Sequence, residues 1–539
     1  MRVSRVNAGH YYYLKPIQIL VSLEAATDPV SLYTAINQMT HTPQFRLILK
    51  GSIQRLVALS LFFFTACLWV HAELRPNALF KSGAVLQRDQ AIQLWGDSDL
   101  GKTVTATMNG HSSTAMIDSE GKWRLELPAM SAGGPYSLEL KTEGHNLTLK
   151  DILLGDIWLC SGQSNMGWPM SKSANAEEEI ARVDNPNIRL YKVERNASKT
   201  PLETVSGRWL PANRYSVKDF SAVAWYFGAA LEAEIGVPIG LILSEVGGTL
   251  ANNWTSEKTL DSHPNIQKYR ARYAQLEADY PAEIAKWEAT RKINPQAKKP
   301  HEPGRRLPSG YFNGMIAPLQ AMALKGVIWY QGETDSWSWP DYDRFFRDLI
   351  FDWRSGFKAP NLPFLYVMLA GFDGKPGVHE NYPHIREVQL KALDIPHTAM
   401  ALALDVGEVD DIHPRNKKTV GERLALAARA SVYGEQLCHS GPIMRDVDIQ
   451  GSTAIVHFDH TGDGLVAKDG ALRAFQVAGQ DAEFKTAKAS ILGHSVQVES
   501  LDGSLIKEVR YAWGGYPDSN LYNSAALPAA PFRTDKINR

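Results

Sequence analysis

A serine that follows a buried strand is the first residue of this chain that could carry covalent chemistry. The apolar run Ile152–Leu159 leads to a turn at Ser161-Gly162, and Ser164 follows in the context Gly-Gln-Ser-Asn. In an open parallel sheet, ligands bind at the carboxyl ends of the strands. A serine hydroxyl there can attack a carbonyl carbon if a base is positioned beside it. We therefore predict that Ser164 is a nucleophile near a helix N-terminus, with a helix N-cap as its alternative role.

A histidine late in the chain is the candidate base. The segment Val409–Pro414 reads Val-Asp-Asp-Ile-His-Pro and follows a predicted strand. A carboxylate two or three residues before His413 can accept a hydrogen bond from its Nδ1–H group, which leaves Nε2 free to take the serine proton. Asp410 and Asp411 both have this spacing. Pro414 is expected to open the following helix, and a surface loop with a capping aspartate is the alternative.

Two further strand ends carry groups that could stabilise a negative oxygen. Gly247 and Gly248 follow an apolar strand, and paired glycines let the backbone approach a substrate and present an N–H group to it. Gln331, after another apolar strand, can donate from its side-chain amide. Such donors matter in acyl transfer because charge develops on the carbonyl oxygen. Glu333 and Asp335 are expected to organise the same loop; a tight turn and a polar loop are the alternatives.

These strand ends belong to a predicted α/β region. From residue 151 to 438, apolar strands alternate with helical segments, which predicts a parallel sheet in a three-layer α/β fold. The predicted strands are 152–159, 237–243, 326–330, 364–369 and 400–404, and the predicted helices lie near 218–234, 340–352, 384–393 and 416–433. A segment rich in Lys, Glu, Ala and Tyr, about 257–307, is predicted to be a helical insertion.

Short alternating strands flank this region on both sides. Residues 73–150 include Thr103–Met108, a hairpin turn at Asn109-Gly110 and further alternating runs, which predict a small sandwich or barrel. Residues 439–539 return to the same pattern, with Thr453–Phe458 as a clear case. We therefore expect an all-β region before and another after the α/β domain.

Composition excludes several function classes. Lys and Arg number 57 and Asp and Glu 58, and no long basic run occurs, so nucleic acid is not a predicted partner. The 14 Trp and 20 Tyr residues provide flat faces that suit sugar rings. With 3 Cys, a disulfide framework is not expected. The histidines lack metal-ligand spacing, so we predict neither a metal nor another cofactor.

The amino-terminal residues 1–72 are predicted to be a leader. Lys50 and Arg55 precede the apolar run Leu56–Val70, and a small-residue cleavage site follows at Ala72. This arrangement is typical of a signal peptide over about residues 50–72. The run is short for a membrane span of about 20 residues, and an amino-terminal anchor is the alternative. Met39 is a plausible start, and the mature chain is expected to be secreted or periplasmic, with no membrane span.

The order of these motifs resembles that of the SGNH (GDSL-like) hydrolases, and more narrowly the sialate O-acetylesterase family of carbohydrate esterases. The resemblance runs from about residue 76 to the C-terminus. The matching segments are Val85–Arg88, Gly155–Met166, Gly247–Thr249, Asn313–Leu319, Trp329–Glu333, Asp411–Pro414, Leu521–Asn523 and Leu527–Arg533. The long segment around Ser164 is the most specific of them.

The resemblance implies an SGNH-type fold and a set of roles. Ser164 would be the nucleophile and His413 the base, and the oxyanion donors would be the backbone N–H groups of Ser164 and of Gly248 or Gly247, with the Gln331 amide. The superfamily spacing selects Asp410 as the partner of His413, whereas the family's Asp-Ile-His selects Asp411; we favour Asp410.

The implied activity is hydrolysis of O-acetyl esters on a sugar. Sialic acid is the expected substrate, and acetylated xylan or another polysaccharide is the alternative. A sialic acid carboxylate calls for an arginine in the cleft, for which Arg344, Arg354 and Arg386 are candidates. Hypotheses from other classes are a non-catalytic carbohydrate-binding protein and a β-sandwich adhesion protein. The α/β alternation argues against the second.

Overall fold

The structure, a computed structural model, describes residues 73–99, 101–374 and 379–536. The leader predicted within residues 1–72 lies outside these ranges. Among the residues described, no helix has both the length and the apolar character needed to cross a membrane.

The described chain begins with β structure. Its strands are β1 Leu74–Pro76, β2 Val85–Gln87, β3 Ile92–Ser98, β4 Thr103–Met108, β5 His111–Met116, β6 Lys122–Leu127, β7 Gly133–Thr142 and β8 His145–Gly162. β1, β3 and β6 form one sheet, whereas β4 pairs with β5 and β7, and β7 with β8. The predicted hairpin is confirmed, since Asn109 and Gly110 join β4 to β5 with φ angles of 49° and 79°. An Asn-Gly pair suits this turn because both residues tolerate positive φ.

Strand β8 joins the amino-terminal β structure to the parallel sheet. It is 18 residues long, and residues 145–154 pair in an antiparallel register with β7. The second half, Ile152–Gly162, is buried throughout because its apolar side chains are covered on both faces. The domain boundary predicted at residue 150 therefore falls inside one continuous strand.

The central sheet is parallel, with one antiparallel edge. The strands that join β8 in it are β9 Asp184–Lys192, β10 Trp209–Asn213, β11 Ile239–Glu245, β12 Gly326–Tyr330, β13 Phe364–Val367 and β14 Thr398–Ala401. Their order across the sheet is β10-β9-β11-β8-β12-β13-β14. β11 and β12 both pair with β8 in parallel, on opposite sides. The order in which strands are added to the sheet therefore changes side at β8. This change makes a crevice at the carboxyl end of that strand.

Helices cover this sheet. The α-helices are α1 Ala176–Ala181, α2 Ala222–Ile235, α3 Glu257–Leu260, α4 Ile266–Ile293, α5 Trp339–Gly356, α6 Tyr382–Lys391 and α7 Lys417–Ser431. α2 and α7 pack against each other and on the sheet, and α5 packs against α6. The predicted three-layer α/β fold is confirmed. The long helix α4 lies within the segment predicted to be a helical insertion.

The chain ends in a second all-β region with its own core. Its strands are β15 Ile443–Gln450, β16 Thr453–Asp459, β17 Leu465–Ala467, β18 Phe475–Ala478, β19 Lys485–Leu492, β20 Ser495–Ser500, β21 Glu508–Tyr511, β22 Leu521–Asn523 and β23 Phe532–Arg533. Seven of them form a sheet in the order β15-β16-β20-β19-β18-β21-β23. Alternation places residues such as Val456 and Val498 inside. Cys160 and Cys438 are both free, so no bridge joins this region to β8.

Candidate active site

The serine and the histidine singled out in the sequence are in contact. His413 Nε2 lies 2.9 Å from Ser164 Oγ, although 249 positions separate them in the chain. Trp168 stacks on the imidazole, with ring centroids 5.0 Å apart and an interplanar angle of 17°. The His413 side chain is 28% exposed, so the pair is open to a ligand. This distance and pairing are those that a general base needs to take a proton from a hydroxyl.

The turn that carries Ser164 is held by the neighbouring strand β12. Gly162 has φ +133°, and a Cβ there would lie 2.2 Å from the Tyr330 carbonyl oxygen, so only glycine fits. The Gln163 N–H group donates to the same carbonyl at 3.0 Å. The predicted helix after Ser164 is wrong, because α1 begins only at Ala176. A tight turn, not a helix N-terminus, therefore presents the hydroxyl.

Asp411, not Asp410, lies beside the imidazole. Asp411 Oδ1 accepts the backbone N–H of His413 at 2.8 Å and lies 3.5 Å from His413 Nδ1. Among the residues described, Asp410 makes no hydrogen bond or ion pair with His413. The preference for Asp410 is corrected, since the turn closed by Asp411 places its own carboxylate, not the preceding one, against the ring. Helix α7 lies where it was predicted, but Pro414 does not open it: Asn416 caps the helix by accepting the Thr419 N–H.

Three backbone N–H groups near Ser164 are available to bind an anion. Gly247 packs on the turn that carries Ser164, where an added Cβ on Gly247 would lie 3.1 Å from Ser164 Cβ. In the described part of the chain, the N–H groups of Ser164, Gly247 and Gly248 donate to no protein acceptor. Unpaired backbone donors of this kind suit a carbonyl oxygen that gains negative charge.

Gln331 does not contribute to this group. Its Nε2 donates to the Thr249 carbonyl at 3.1 Å and to Asp335 Oδ2 at 2.5 Å, so both amide protons are used inside the protein. The side chain is fully buried. Asp335 Oδ2 also accepts the Ala251 N–H at 3.0 Å, and burial raises the pKa of Asp335 to about 7. The oxyanion role predicted for Gln331 is corrected: with Asp335 it braces the loop that carries Gly247 and Gly248.

Burial and nearby charges act on the imidazole in opposite directions. Burial lowers the pKa of His413, and the cations of Lys417 and Lys172 lower it further. The Asp411 carboxylate raises the pKa. The net direction is downward, which favours the neutral imidazole that a base must be.

A cavity of about 530 Å³ opens beside Ser164. Its polar lining includes Arg195, Glu245 and Arg305. Arg195 forms an ion pair with Glu245 at 2.6 Å. Arg305 donates to the Gly247 carbonyl and contacts His301 Nδ1 at 2.7 Å. A cleft of this size and polarity fits a small polar ligand such as a sugar.

Comparison with known proteins decides the family. A family model described as a carbohydrate esterase, sialic acid-specific acetylesterase, matches residues 297–430. The sialate O-acetylesterase of Mus musculus is 30% identical over 514 residues, which cover 83% of this chain and 92% of that protein. The human enzyme of the same name is 31% identical over 500 residues, which cover 83% of this chain and 90% of that protein. The chain belongs to the sialate O-acetylesterase family.

A solved structure supports the same relationship at the level of the fold. This esterase is 35% identical to a carbohydrate acetylesterase from Xanthomonas citri, with a TM-score of 0.75. The match covers 85% of this chain and 99% of the other. The family places the chain among the carboxylic ester hydrolases that act on carbohydrates.

The arginines predicted to face the substrate of the esterase lie elsewhere. Arg354 and Arg386 are buried and donate to backbone carbonyls. Arg344 pairs with Asp348 on the surface of α5. Two other arginines line the cleft. Arg195 lies in the loop between β9 and β10, and Arg305 lies in a 3₁₀ turn after α4; neither belongs to a motif. Sequence spacing alone could not select them.

Two polar residues beside the esterase's Ser164–His413 pair also escaped the sequence analysis. Asn165 directly follows Ser164, and Lys417 is the fourth residue after His413; both are buried. Asn165 lies inside the matching segment Gly155–Met166, which was the available signal, whereas Lys417 lies three residues beyond Asp411–Pro414. A lysine at the start of a helix is ordinarily solvated, which is why Lys417 gave no reason for attention.

Proposed function

We propose that this esterase removes O-acetyl groups from a sugar, with Ser164 as the nucleophile and His413 as the general base. The observation that carries the proposal is the 2.9 Å contact between Ser164 Oγ and His413 Nε2 in an open cleft. The contact lies at the carboxyl end of β8, where the chain reverses across the sheet and ligands bind in folds of this class.

The proposed reaction has two steps. Ser164 Oγ attacks the acetyl carbonyl carbon while His413 Nε2 takes the hydroxyl proton. The N–H groups of Ser164 and of Gly247 or Gly248 stabilise the oxyanion, and Asp411 stabilises the imidazolium. The tetrahedral intermediate then collapses, and His413 returns the proton to the leaving sugar oxygen. Water activated by His413 attacks the acetyl-enzyme, which releases acetate and restores the serine.

The proposed substrate is an O-acetylated sialic acid. The relatives named above are sialate O-acetylesterases, and the cleft supplies a cation for a sugar carboxylate. Arg195 is already paired with Glu245, whereas Arg305 has no carboxylate partner among the residues described. An arginine without a carboxylate partner favours an anionic sugar, because guanidinium–carboxylate hydrogen bonds are strong and directional. Acetylated xylan, a neutral chain, is the alternative substrate.

We expect Arg305→Gln to lower kcat/KM for O-acetylated sialic acid by roughly 10- to 100-fold, because one charge-assisted contact is lost. The loss for acetylated xylan should be much smaller. The measurement is the ratio of kcat/KM for acetate release from the two substrates, in the wild type and the variant. Arg291→Gln, on the exposed surface of α4, serves as the matched control and should leave the ratio unchanged.

The ratio of the two kcat/KM values distinguishes recognition of the substrate carboxylate by Arg305 from its support of the loop that carries Gly247. Arg305 also holds the Gly247 carbonyl, and loss of that contact would lower both activities together. An equal loss on both substrates would contradict carboxylate recognition. A wild type that prefers acetylated xylan would overturn the sialate assignment and leave the esterase mechanism in place.

We also propose that the mature chain is exported after removal of residues 1–72. The support is the basic and apolar pattern of residues 50–72. N-terminal sequencing of the protein recovered outside the cytoplasm should begin at Glu73; a chain that retains residues 50–72 would contradict cleavage.

A further inference from the structure

Asn165 connects the turn of the nucleophile to the loop of the histidine. Its Nδ2 donates to the carbonyl of Ile412, the residue before His413, at 3.0 Å. The same nitrogen donates to Glu333 Oε1 at 2.5 Å. Its Oδ1 accepts from Lys417 Nζ at 2.5 Å. Two acceptors on one side and an ammonium on the other fix the orientation of the amide.

Lys417 is a buried cation held by few partners. Its Nζ lies 5.8 Å from the centre of the Trp168 ring and 5.5 Å from that of Tyr330. In the part of the chain that the structure describes, Asn165 Oδ1 is its one hydrogen-bond acceptor. The opposite charge, Glu333, is buried on the other side of the Asn165 amide. A buried charge is costly unless it is compensated, so a lysine here needs an explanation beyond solubility.

Lys417 also approaches the imidazole through Trp168. One ring of Trp168 stacks on His413, and Lys417 lies over the same side chain. We propose that Asn165 and Lys417 are positioning residues for the Ser164–His413 pair: Asn165 sets the separation of the two loops, and Lys417 places a positive charge near the imidazole. This inference rests on the proposed function.

The charge has a definite effect on protonation. Burial lowers the pKa of Lys417 to about 7, against the opposing effect of Glu333, Asp411 and Glu408. At the acid pH where His413 titrates, Lys417 is therefore protonated and disfavours the imidazolium. Burial, Lys417 and Lys172 lower the pKa of His413, whereas Asp411 raises it. Because Lys417 lowers the pKa of His413, the imidazole stays unprotonated, and able to act as a base, down to a lower pH.

The test is the pH profile of kcat/KM in Lys417→Met and Lys417→Gln. Both variants remove the cation, so the pKa of His413 should rise and the acid limb should move up by roughly half a pH unit or more. The Gln variant keeps a donor for Asn165 and should retain more of kcat. Asp411→Asn removes the opposing charge and should move the limb down. Lys418→Met, the exposed neighbour paired with Glu179, should leave the profile unchanged.

Asn165→Ala tests the separation of the loops. We expect kcat to fall by about 10²-fold with little change in KM, because a small misplacement of the base acts on the chemical step. A loss confined to KM, or none, would overturn the positioning role of Asn165.

An NMR titration of the His413 imidazole makes the charge test independent of turnover. The resonance is assigned by its absence from His413→Gln. A rise of the His413 pKa in the folded Lys417 variants supports the inference even if the enzyme proves inactive on acetyl esters, which would count against the proposed function alone. An unchanged pKa in both folded variants overturns the role of Lys417.

Discussion

Ser164→Ala is expected to lower kcat/KM for acetate release by at least about 10⁴-fold. In the proposed mechanism the variant removes the atom that forms the acetyl-enzyme, and among the described residues no other hydroxyl forms a hydrogen bond with His413 Nε2. Binding and oxyanion donors remain, so weak residual activity is compatible with the mechanism. The measurement is initial-rate kinetics with p-nitrophenyl acetate and with an O-acetylated sugar.

A fluorophosphonate probe provides the second readout for this variant. The probe should label the wild type at Ser164 and should not label Ser164→Ala. Ser171→Ala, seven residues further on, is the control and should keep both activity and labelling. Near-wild-type turnover by a folded Ser164→Ala protein would remove the proposed nucleophile.

The second large effect is expected for His413→Gln, with kcat falling by about 10³- to 10⁴-fold. Glutamine fills a similar volume but cannot accept the serine proton and return it to the sugar oxygen. Because the imidazole is 28% exposed, the melting temperature should change little. The pH profile of the remaining activity should no longer show an acid limb caused by protonation of an imidazole. These quantities are measured by steady-state kinetics from pH 5 to 9, a range of about two units on each side of neutrality, and by thermal denaturation.

His457→Gln is the matched control for the histidine. His457 lies in β16 and contacts Asp448 and Ser495, in the carboxyl-terminal β region. Its replacement should leave kcat within about two-fold of the wild type. If His413→Gln retained most of its activity, another group would have to serve as the base.

Much of the fold could be predicted from the sequence because the strands of the central sheet are buried on both faces. The run Gly326–Tyr330 is apolar without interruption, and its bounds were predicted to the residue. β9 was missed because its first half, from Asp184 to Asn187, is polar and contains a proline. A strand of this kind is defined by its partner β11, not by its own pattern.

The residues of the site were predictable only where a local pattern marks them. Ser164 and His413 stand in segments whose spacing indicates chemistry, and the structure places them in contact. The choice between Asp410 and Asp411 depended on how one turn closes, which both spacings permit. The prediction of Gln331 as an oxyanion donor was wrong because its amide donates a hydrogen bond to Asp335, four residues later. Contacts between buried polar groups depend on tertiary packing, and no local pattern reports them.

Strand β8 connects the amino-terminal β structure directly to the turn that carries Ser164. The strand that pairs with β7 runs without a break to the turn before Ser164. A truncation at residue 150 would cut this strand and remove β7, so the edge at residues 152–154 would lose its partner. The amino-terminal β structure is therefore not a separable module. Recombination between relatives would have to exchange it together with the segment that carries Ser164, so that both would be inherited together.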